Sequence, residues 1–490
     1  MDPSTLSFLI PKVPFLLKTA LYHSLSLSST ASKWDLRTEL TVKLIREYAC
    51  SPQPSPVSKQ QAMSLKDPGI KGKMWISKVT LPRPEEDDVR KAVVDAIEAL
   101  KEGKETYTVP NLANVEAEWT GWRNGVGKEA PRPDLSEAEH YAHLMKEVSS
   151  DVTILYFHGG AYYLLDPSSH RPTTSLLAKL THGRTLSVRY RLSPQHAFPA
   201  ALLDALVAYL TLLSPPPGSL HAPIPAYNII LAGDSAGGNL ALSLLQLLLH
   251  LHRTHASTSS PPTLRFHGHD VPIPLPAGVA VNSAWMDLTG CMPSLATNAP
   301  YDYLPPPPSP SSSSTMYTIK YPPCPLWPTD PPRGALYCDA SMLCHPLVSP
   351  LAARDWRGAP PVWMVYGEEM LVDEGRVVGR RAEAQGVKVE WVEFEAMPHC
   401  FAMVLDGGWH KGSRVCFERW AGFCTRAVEA RVQEARGVFV EARSLEEREV
   451  RVGGEGGKEW GYEEVVGMMR EQRGKRERGE DGEAKLMPRL

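Results

Sequence analysis

The chain has 490 residues, of which 43% are hydrophobic, and its formal net charge at pH 7 is −3. This is enough apolar sequence for one large domain with additions, and the charge excludes the basic surface typical of nucleic-acid-binding proteins. The 8 cysteines show neither CxxC pairs nor zinc-ligand spacing, so we expect free thiols, an intracellular protein and no bound metal.

The first predicted unit, residues 1–65, begins with an apolar segment. Residues 6–18 contain two prolines and two lysines, which argues against a membrane-spanning helix, and nothing there is typical of a signal peptide. Two interpretations of residues 5–28 stay open. They form part of a cap over the functional site, or they contact a membrane surface such as the endoplasmic reticulum, with Lys12 and Lys18 at the headgroups. The first interpretation allows a soluble cytoplasmic protein.

Helical spacing of apolar residues predicts a cap helix over residues 34–45, before a Pro/Ser linker at residues 51–58. Residues 73–81 and 115–122 read as the first strands of a sheet, with a helix-like stretch at 89–101 between them. The apolar run 152–157 then predicts a buried strand that opens into His158, Gly159 and Gly160. Backbone N–H groups in such a glycine loop can approach a ligand closely, while His158 shapes the loop.

A second motif follows the predicted strands at 185–190 and 227–232. It comprises five residues before a helix-like segment at 239–251: Gly233, Asp234, Ser235, Ala236 and Gly237. A serine between glycines at a strand-to-helix corner is typical of a nucleophile elbow, although a plain turn serine is the alternative. Gly159, Gly160 and Ala236 would then supply the N–H donors of an oxyanion hole.

Two further strands are predicted downstream of an insertion at residues 286–345. The insertion holds a Pro/Ser run at 305–314 and a segment, 327–333, that forms either a packed rigid loop or a substrate contact. The strand at 361–366 ends before Glu368 and Glu369, and the strand at 389–394 ends before His399. Serine, acid and histidine, each just past a strand, follow one another in the chain order of a hydrolase triad.

These motifs resemble the hormone-sensitive-lipase-like branch of the α/β-hydrolases, which includes arylacetamide deacetylase and fungal sterol deacetylases. Besides the two glycine motifs, residues 190–194 and Asp204 match the family, although Gln195 replaces its usual acidic residue. The resemblance covers about residues 150–425. It implies an α/β-hydrolase fold with a mostly parallel central sheet flanked by helices, and a cap built from the N-terminal region and the 286–345 insertion.

The resemblance also implies the site residues. Ser235 is the expected nucleophile, His399 the base and Glu369 the acid, with Gly233, Asp234 and Gly237 shaping the elbow. The family pattern G-x-x-D-x-L-x-D is one residue shorter here after the glycine. Aligning from Leu371 and Asp373 selects Glu369, and Glu368 and Asp373 remain as alternatives.

The implied activity is that of a serine carboxylic-ester hydrolase for short acyl esters of hydrophobic alcohols, with sterol acetates as one candidate and no cofactor or metal. A lipase for long acyl chains and a non-catalytic ligand-binding protein of the same fold are the alternatives. Residues 66–430 would form the catalytic domain. The glycine-rich, charged composition of residues 431–490 predicts a largely disordered tail, with at most a short helix in 438–452.

Overall fold

A ten-stranded sheet forms the centre of the computed structural model, which describes residues 10–50, 54–255, 260–306, 321–330, 333–455 and 458–478. The described residues contain twelve strands in all: β1 (Met74–Leu81), β2 (Val115–Trp122), β3 (Thr153–Phe157), β4 (Arg184–Arg189), β5 (Ile229–Asp234), β6 (Thr263–Phe266), β7 (His269–Pro272), β8 (Gly278–Asn282), β9 (Val362–Gly367), β10 (Val389–Phe394), β11 (Arg436–Val440) and β12 (Glu447–Val450). Their order is β1-β2-β4-β3-β5-β8-β9-β10-β11-β12, and β6 and β7 form a separate hairpin. From β4 to β11 all neighbouring strands are parallel.

Helices cover both faces of this sheet. They are α1 (Val13–Ser24), α2 (Leu36–Ala49), α3 (Val57–Ser64), α4 (Asp88–Leu100), α5 (Glu137–Glu147), α6 (Pro167–Thr181), α7 (Ala200–Leu213), α8 (Ser235–Thr254), α9 (Ser294–Thr297), α10 (Val372–Ala384), α11 (Phe401–Val404), α12 (Lys411–Val428) and α13 (Tyr462–Glu477). The side chains of alternate strand residues point into two different cores, one on each face of the sheet. Leu155 and Leu231 pack in the core that contains α7 and α8, and Ile154 and Ile230 in the one that contains α12. This arrangement confirms the predicted fold class. The sequence could predict it because strands buried on both faces appear as continuous apolar runs.

The prediction of a largely disordered C-terminal tail is wrong for most of residues 436–478. β11 pairs parallel with β10, and β12 pairs antiparallel with β11, so the short helix predicted in 438–452 is in fact strand. In α13, Val465, Val466 and Met469 are buried. The many charged residues between these apolar ones conceal the core-facing pattern in the sequence. Residues 479–490 lie outside the described part.

The N-terminal helices and the insertion meet above the carboxyl ends of the strands. The side chains of His23 and Ser28 bind the buried carboxylate of Glu39, which holds α1 against α2. Arg46 of α2 donates to the carbonyl oxygen of Ala299, at 2.8 Å, and to that of Asp302 in the insertion. Both predicted parts of the cap therefore contact each other.

Parts of several other predictions lie outside the described residues. These are positions 5–9 of the apolar segment, 51–53 of the Pro/Ser linker, 307–314 of the Pro/Ser run and 331–332 of the segment that follows it. In the described residues, no helix combines the length and the apolar character needed to cross a bilayer.

Candidate active site

Four loops that carry predicted site residues meet at one edge of the sheet. They follow β3, β5, β9 and β10, which run parallel, so their carboxyl ends lie on the same side. This edge is where open α/β sheets bind ligands. The loops bring His158, Ser235, Glu369 and His399 to a common region.

Ser235 stands at a sharp corner between β5 and α8, with a φ of 51°. A side chain at Gly233 or Gly237 would collide with the carbonyl oxygen of Phe157 at the end of β3. The two glycines therefore allow the turn to pack against β3. The serine remains partly accessible while its neighbour Ala236 is buried in the first turn of α8.

A hydrogen-bonded chain joins the three predicted triad residues. His399 Nε2 lies 3.0 Å from Ser235 Oγ, and His399 Nδ1 lies 2.8 Å from Glu369 Oε2. Glu369 is fully buried and His399 nearly so. Both imidazole nitrogens are thus engaged, one with an acid and one with a hydroxyl group.

The groups around the His399 ring make its imidazole more basic. Burial alone would lower the pKa of His399, but the adjacent Cys400 and the Glu369 carboxylate oppose this and the pKa is raised. Burial raises the pKa of Glu369, and the neighbouring His399 moderates that increase. Burial also raises the pKa of the adjacent Cys400 thiol to about 11, so this group remains a neutral thiol at pH 7.

The two alternative acids have other partners. Glu368 Oε2 accepts a hydrogen bond from the backbone N–H of Ala396 at 2.9 Å. Asp373 accepts from the N–H of Ser294 and from Arg376, both at 3.0 Å. Of the three acidic residues, Glu369 is the one whose carboxylate contacts the His399 ring.

The predicted oxyanion donor Gly159 requires a correction. Its N–H donates to Asp234 Oδ1 at 3.2 Å and is therefore already engaged. Asp234 is buried and also accepts from the Tyr156 hydroxyl, at 2.7 Å, and contacts the His170 ring at 3.2 Å. Burial opposes charge on both members of this pair, but their attraction is stronger, lowering the pKa of Asp234 and raising that of His170.

Sequence reasoning missed Tyr156 and His170, because one lies inside a strand and the other inside a helix. Asp234 in the elbow is the one sequence signal for these two residues, because a buried carboxylate needs hydrogen-bond donors. Its partners, however, lie more than 60 residues away along the chain, at separations of 78 and 64.

His158 packs within the fold. Its ring stacks on Tyr190 with ring centres 4.2 Å apart, and its Nδ1 lies 2.7 Å from the carbonyl oxygen of Gly159. Burial and the nearby His170 lower the pKa of His158 to about 3. A neutral, stacked ring of this kind suits the predicted role of shaping the loop.

Parts of the insertion also border the site. The Tyr303 ring meets the His399 ring edge-on, with centres 6.1 Å apart. By contrast, Arg333 donates to the carbonyl oxygens of Pro194, at 2.7 Å, and Leu336. These contacts favour the packed-loop interpretation for the described part of residues 327–333. Across the described residues, no group of three His, Cys, Asp or Glu side chains has an arrangement that could hold a metal ion.

Comparison with known proteins places this geometry in a family. Residues 154–403 match the family model described as alpha/beta hydrolase fold. An acetyl-hydrolase from Streptomyces hygroscopicus is 33% identical over 262 residues, covering 52% of this chain and 71% of that protein. An esterase from Acinetobacter venetianus is 29% identical over 258 residues, covering 52% and 70%.

Among solved structures, that of EstE5 soaked with p-nitrophenyl butyrate is similar, with a TM-score of 0.54 and 21% identity. It covers 81% of this chain and 100% of that one, and at this identity the likeness supports the fold alone. The chain therefore belongs to the α/β-hydrolase fold family and is a carboxylic ester hydrolase.

Proposed function

We propose that the chain hydrolyses carboxylic esters through an acyl-enzyme on Ser235. The hydrogen-bonded chain from Glu369 through His399 to Ser235 is the observation that carries this proposal. His399 Nε2 takes the Ser235 proton as Oγ attacks the ester carbonyl carbon, and then gives it to the departing alkoxide. Water, deprotonated by the same nitrogen, then attacks the acyl group, and His399 returns that proton to Ser235 Oγ as the acyl–oxygen bond breaks and the acid leaves. Glu369 orients the ring and stabilises the imidazolium.

The N–H groups of Gly160 and Ala236 are proposed to bind the oxyanion, joined by that of Ala161 in place of Gly159. Among the described residues, no protein acceptor takes the N–H of Gly160 or Ala161. Gly160 has a φ of 105° and Ala161 a φ of 51°, so the loop turns sharply at this point. The Ala236 N–H lies in the first turn of α8, where positive potential favours a developing oxyanion.

The proposed substrates are short acyl esters of hydrophobic alcohols. The relative named acetyl-hydrolase supports a small acyl group. Aromatic side chains of the cap support an apolar alcohol: Tyr321 of the insertion contacts the Tyr163 hydroxyl at 3.1 Å, just past the oxyanion loop, and Tyr303 faces His399. Sterol acetates belong to this class and are one specific candidate.

A panel of p-nitrophenyl esters from acetate to palmitate, assayed on the wild type and on Ser235→Ala, tests the proposal. We expect the acetate and butyrate to be cleaved fastest, and only by the wild type. A preference for palmitate would instead identify a long-chain lipase. No turnover of any ester would overturn the catalytic assignment in favour of a ligand-binding protein.

Membrane contact is a second proposal, supported by an apolar stripe on α1. Val13, Leu17 and Leu21 follow one another at four-residue spacing and are 45%, 66% and 57% exposed. Leu25 and Leu27, just after the helix, are also exposed. An amphipathic helix with an exposed apolar face is suited to a lipid interface.

Sedimentation with liposomes tests this contact in the full chain. The double variant Leu17→Glu and Leu21→Glu should stay in the supernatant while the wild type pellets. Tyr227→Glu is the matched control, because Tyr227 is 68% exposed but lies in the turn just before β5 rather than on α1. If wild type and double variant sediment equally, the membrane proposal is wrong. Hydrolysis of p-nitrophenyl acetate by the double variant should be unchanged.

A further inference from the structure

Asp302, in the insertion, lies between the loop that carries Glu369 and the loop that carries His399. It is fully buried. Its Oδ2 accepts a hydrogen bond from the backbone N–H of Met370, next to Glu369, at 2.9 Å. Its Oδ1 accepts from the backbone N–H of His399 at 3.3 Å. One carboxylate therefore contacts the backbone of both loops.

We propose that Asp302 is a positioning residue for ester hydrolysis, which fixes the separation of Glu369 and His399 by binding their two loops at once. The inference rests on the proposed roles of these two residues. Asp302 does not touch the reacting atoms. It acts through the backbone positions from which the acid and the base extend.

The need for both oxygens explains why the position carries an aspartate. Oδ1 also accepts from the N–H groups of Tyr303, at 2.7 Å, and Leu304, at 3.2 Å, so donors approach the carboxylate from both sides. An asparagine offers one acceptor oxygen and would direct its NH₂ group at a donor on the other side. Only a carboxylate satisfies both loops.

This arrangement has an electrostatic cost that a purely structural tether would avoid. The negative charge of Asp302 adds to burial in raising the pKa of Glu369, since two nearby carboxylates repel each other. The N–H donors compensate for that charge. The carboxylate that binds both loops thus also acts electrostatically on the triad acid.

Neighbouring residues of the insertion hold the same loop. Asn298 Nδ2 donates to the carbonyl oxygen of Glu369 at 3.2 Å, and Ser294 Oγ donates to that of Met370 at 2.6 Å. Arg46 of α2, in turn, binds the carbonyl oxygen of Asp302. The position of the triad acid and base therefore depends on both parts of the cap.

The test compares Asp302→Asn and Asp302→Ala with Asp204→Asn. Asp204 is an equally buried aspartate that binds Arg191, including its backbone N–H at 2.8 Å, and contacts no triad residue. The readouts are kcat and KM for p-nitrophenyl acetate, together with the melting temperature. We expect kcat to fall about 100-fold in Asp302→Ala and about 10-fold in Asp302→Asn, with KM little changed, because displacements of about 1 Å have effects of this size.

Asp204→Asn should lower the melting temperature but keep kcat within about twofold of the wild-type value. The inference is overturned if both Asp302 variants keep wild-type kcat, if only KM changes, or if Asp204→Asn loses as much kcat. If Asp302→Ala does not fold, the Asn variant decides. Ser235→Ala, assayed alongside, separates the two proposals: activity in that variant overturns the nucleophile assignment, whereas an inactive Ser235→Ala with fully active Asp302 variants overturns only the role of Asp302.

Discussion

The nucleophile half of the active site and its acid–base half are held in place by different parts of the chain. Ser235 and the oxyanion loop are fixed by the central strands: Asp234 binds Tyr156 and Gly159, and Gly237 packs against the end of β3. The loops of Glu369 and His399 bind each other and the end of β8, and they are also held from outside the sheet. The outside contacts come from Asn298 and Asp302 of the insertion and from Trp34 of the N-terminal cap.

This difference separates two requirements of the reaction. The serine needs a rigid corner, which a strand and a helix supply by themselves. The acid and the base need a set distance from each other, and here the cap provides it. The nucleophile half should therefore tolerate changes in the cap, whereas the acid–base half should not.

The largest expected effect comes from removing either end of the proton pathway. Ser235→Ala and His399→Ala should each lower kcat by about 10⁴-fold or more, and the double variant should be scarcely worse, because triad residues act as a unit. Hydrolysis of p-nitrophenyl acetate measures this. A tenth of wild-type turnover in Ser235→Ala would contradict the assignment of the nucleophile.

The second-largest loss of kcat is expected when the negative charge of Glu369 is removed. Glu369→Gln should lower kcat by about 10³- to 10⁴-fold, because the imidazole is left in the wrong tautomer. Glu368→Gln is the matched control and should cost far less. A larger loss at Glu368 would show that the acid had been assigned to the wrong neighbour.

The residual activity of Glu369→Gln should also change with pH. Catalysis needs neutral His399, so activity falls as the pH drops through the pKa of this residue. The Glu369 carboxylate raises that pKa. Removing the charge lowers the pKa, and the acidic limb of the kcat/KM profile should move to lower pH.

The length of the acid is expected to matter less than its charge, and it tests the spacing directly. Glu369→Asp keeps the carboxylate but shortens the side chain by about 1.5 Å. From the present 2.8 Å contact with His399 Nδ1, this should lower kcat by about 10- to 100-fold. Wild-type kcat in this variant would mean that the loops adjust freely and that the cap does not set their distance.

The smallest effects concern the stability of the nucleophile corner. Gly237→Ala would place a methyl group inside contact distance of the Phe157 carbonyl oxygen, and should destabilise the fold by about 3 kcal/mol. Gly467→Ala, in α13, is the control, since no atom lies within 4 Å of the added carbon. It should instead stabilise by about 0.5–1 kcal/mol. Urea unfolding measures both, and equal effects would contradict the close approach of β3 and α8.

The sequence predicts the nucleophile half of the site better than the contacts that hold the acid–base half. The elbow, the glycine loop and the buried strands are local patterns, and the sequence places them to within a few residues. Glu369 was selected from Leu371 and Asp373 despite the missing residue, and it is the acid found against His399.

Asp302 could not be predicted, because its partners Met370 and His399 lie 68 and 97 residues away, and no periodic pattern connects them. Gly159 was misassigned for a related reason. Which N–H groups of a glycine loop remain available depends on the side chains packed against it, here that of Asp234. Charged residues dominate β12, and β11 is a short apolar run inside a charged, glycine-rich stretch, so the sequence pattern indicates neither strand.

A contact between distant parts of the sequence in the cap affects how the protein is made. The indole N–H of Trp34 donates to the carbonyl oxygen of Ala396, 362 residues later, and Lys33 binds Glu395 beside it. At typical rates of synthesis, the N-terminal segment waits roughly 20 to 70 seconds before this partner is made. During that time the indole of Trp34 lacks its partner Ala396. We therefore expect the histidine loop to reach its final position late in folding, only after the first segment made docks onto one of the last.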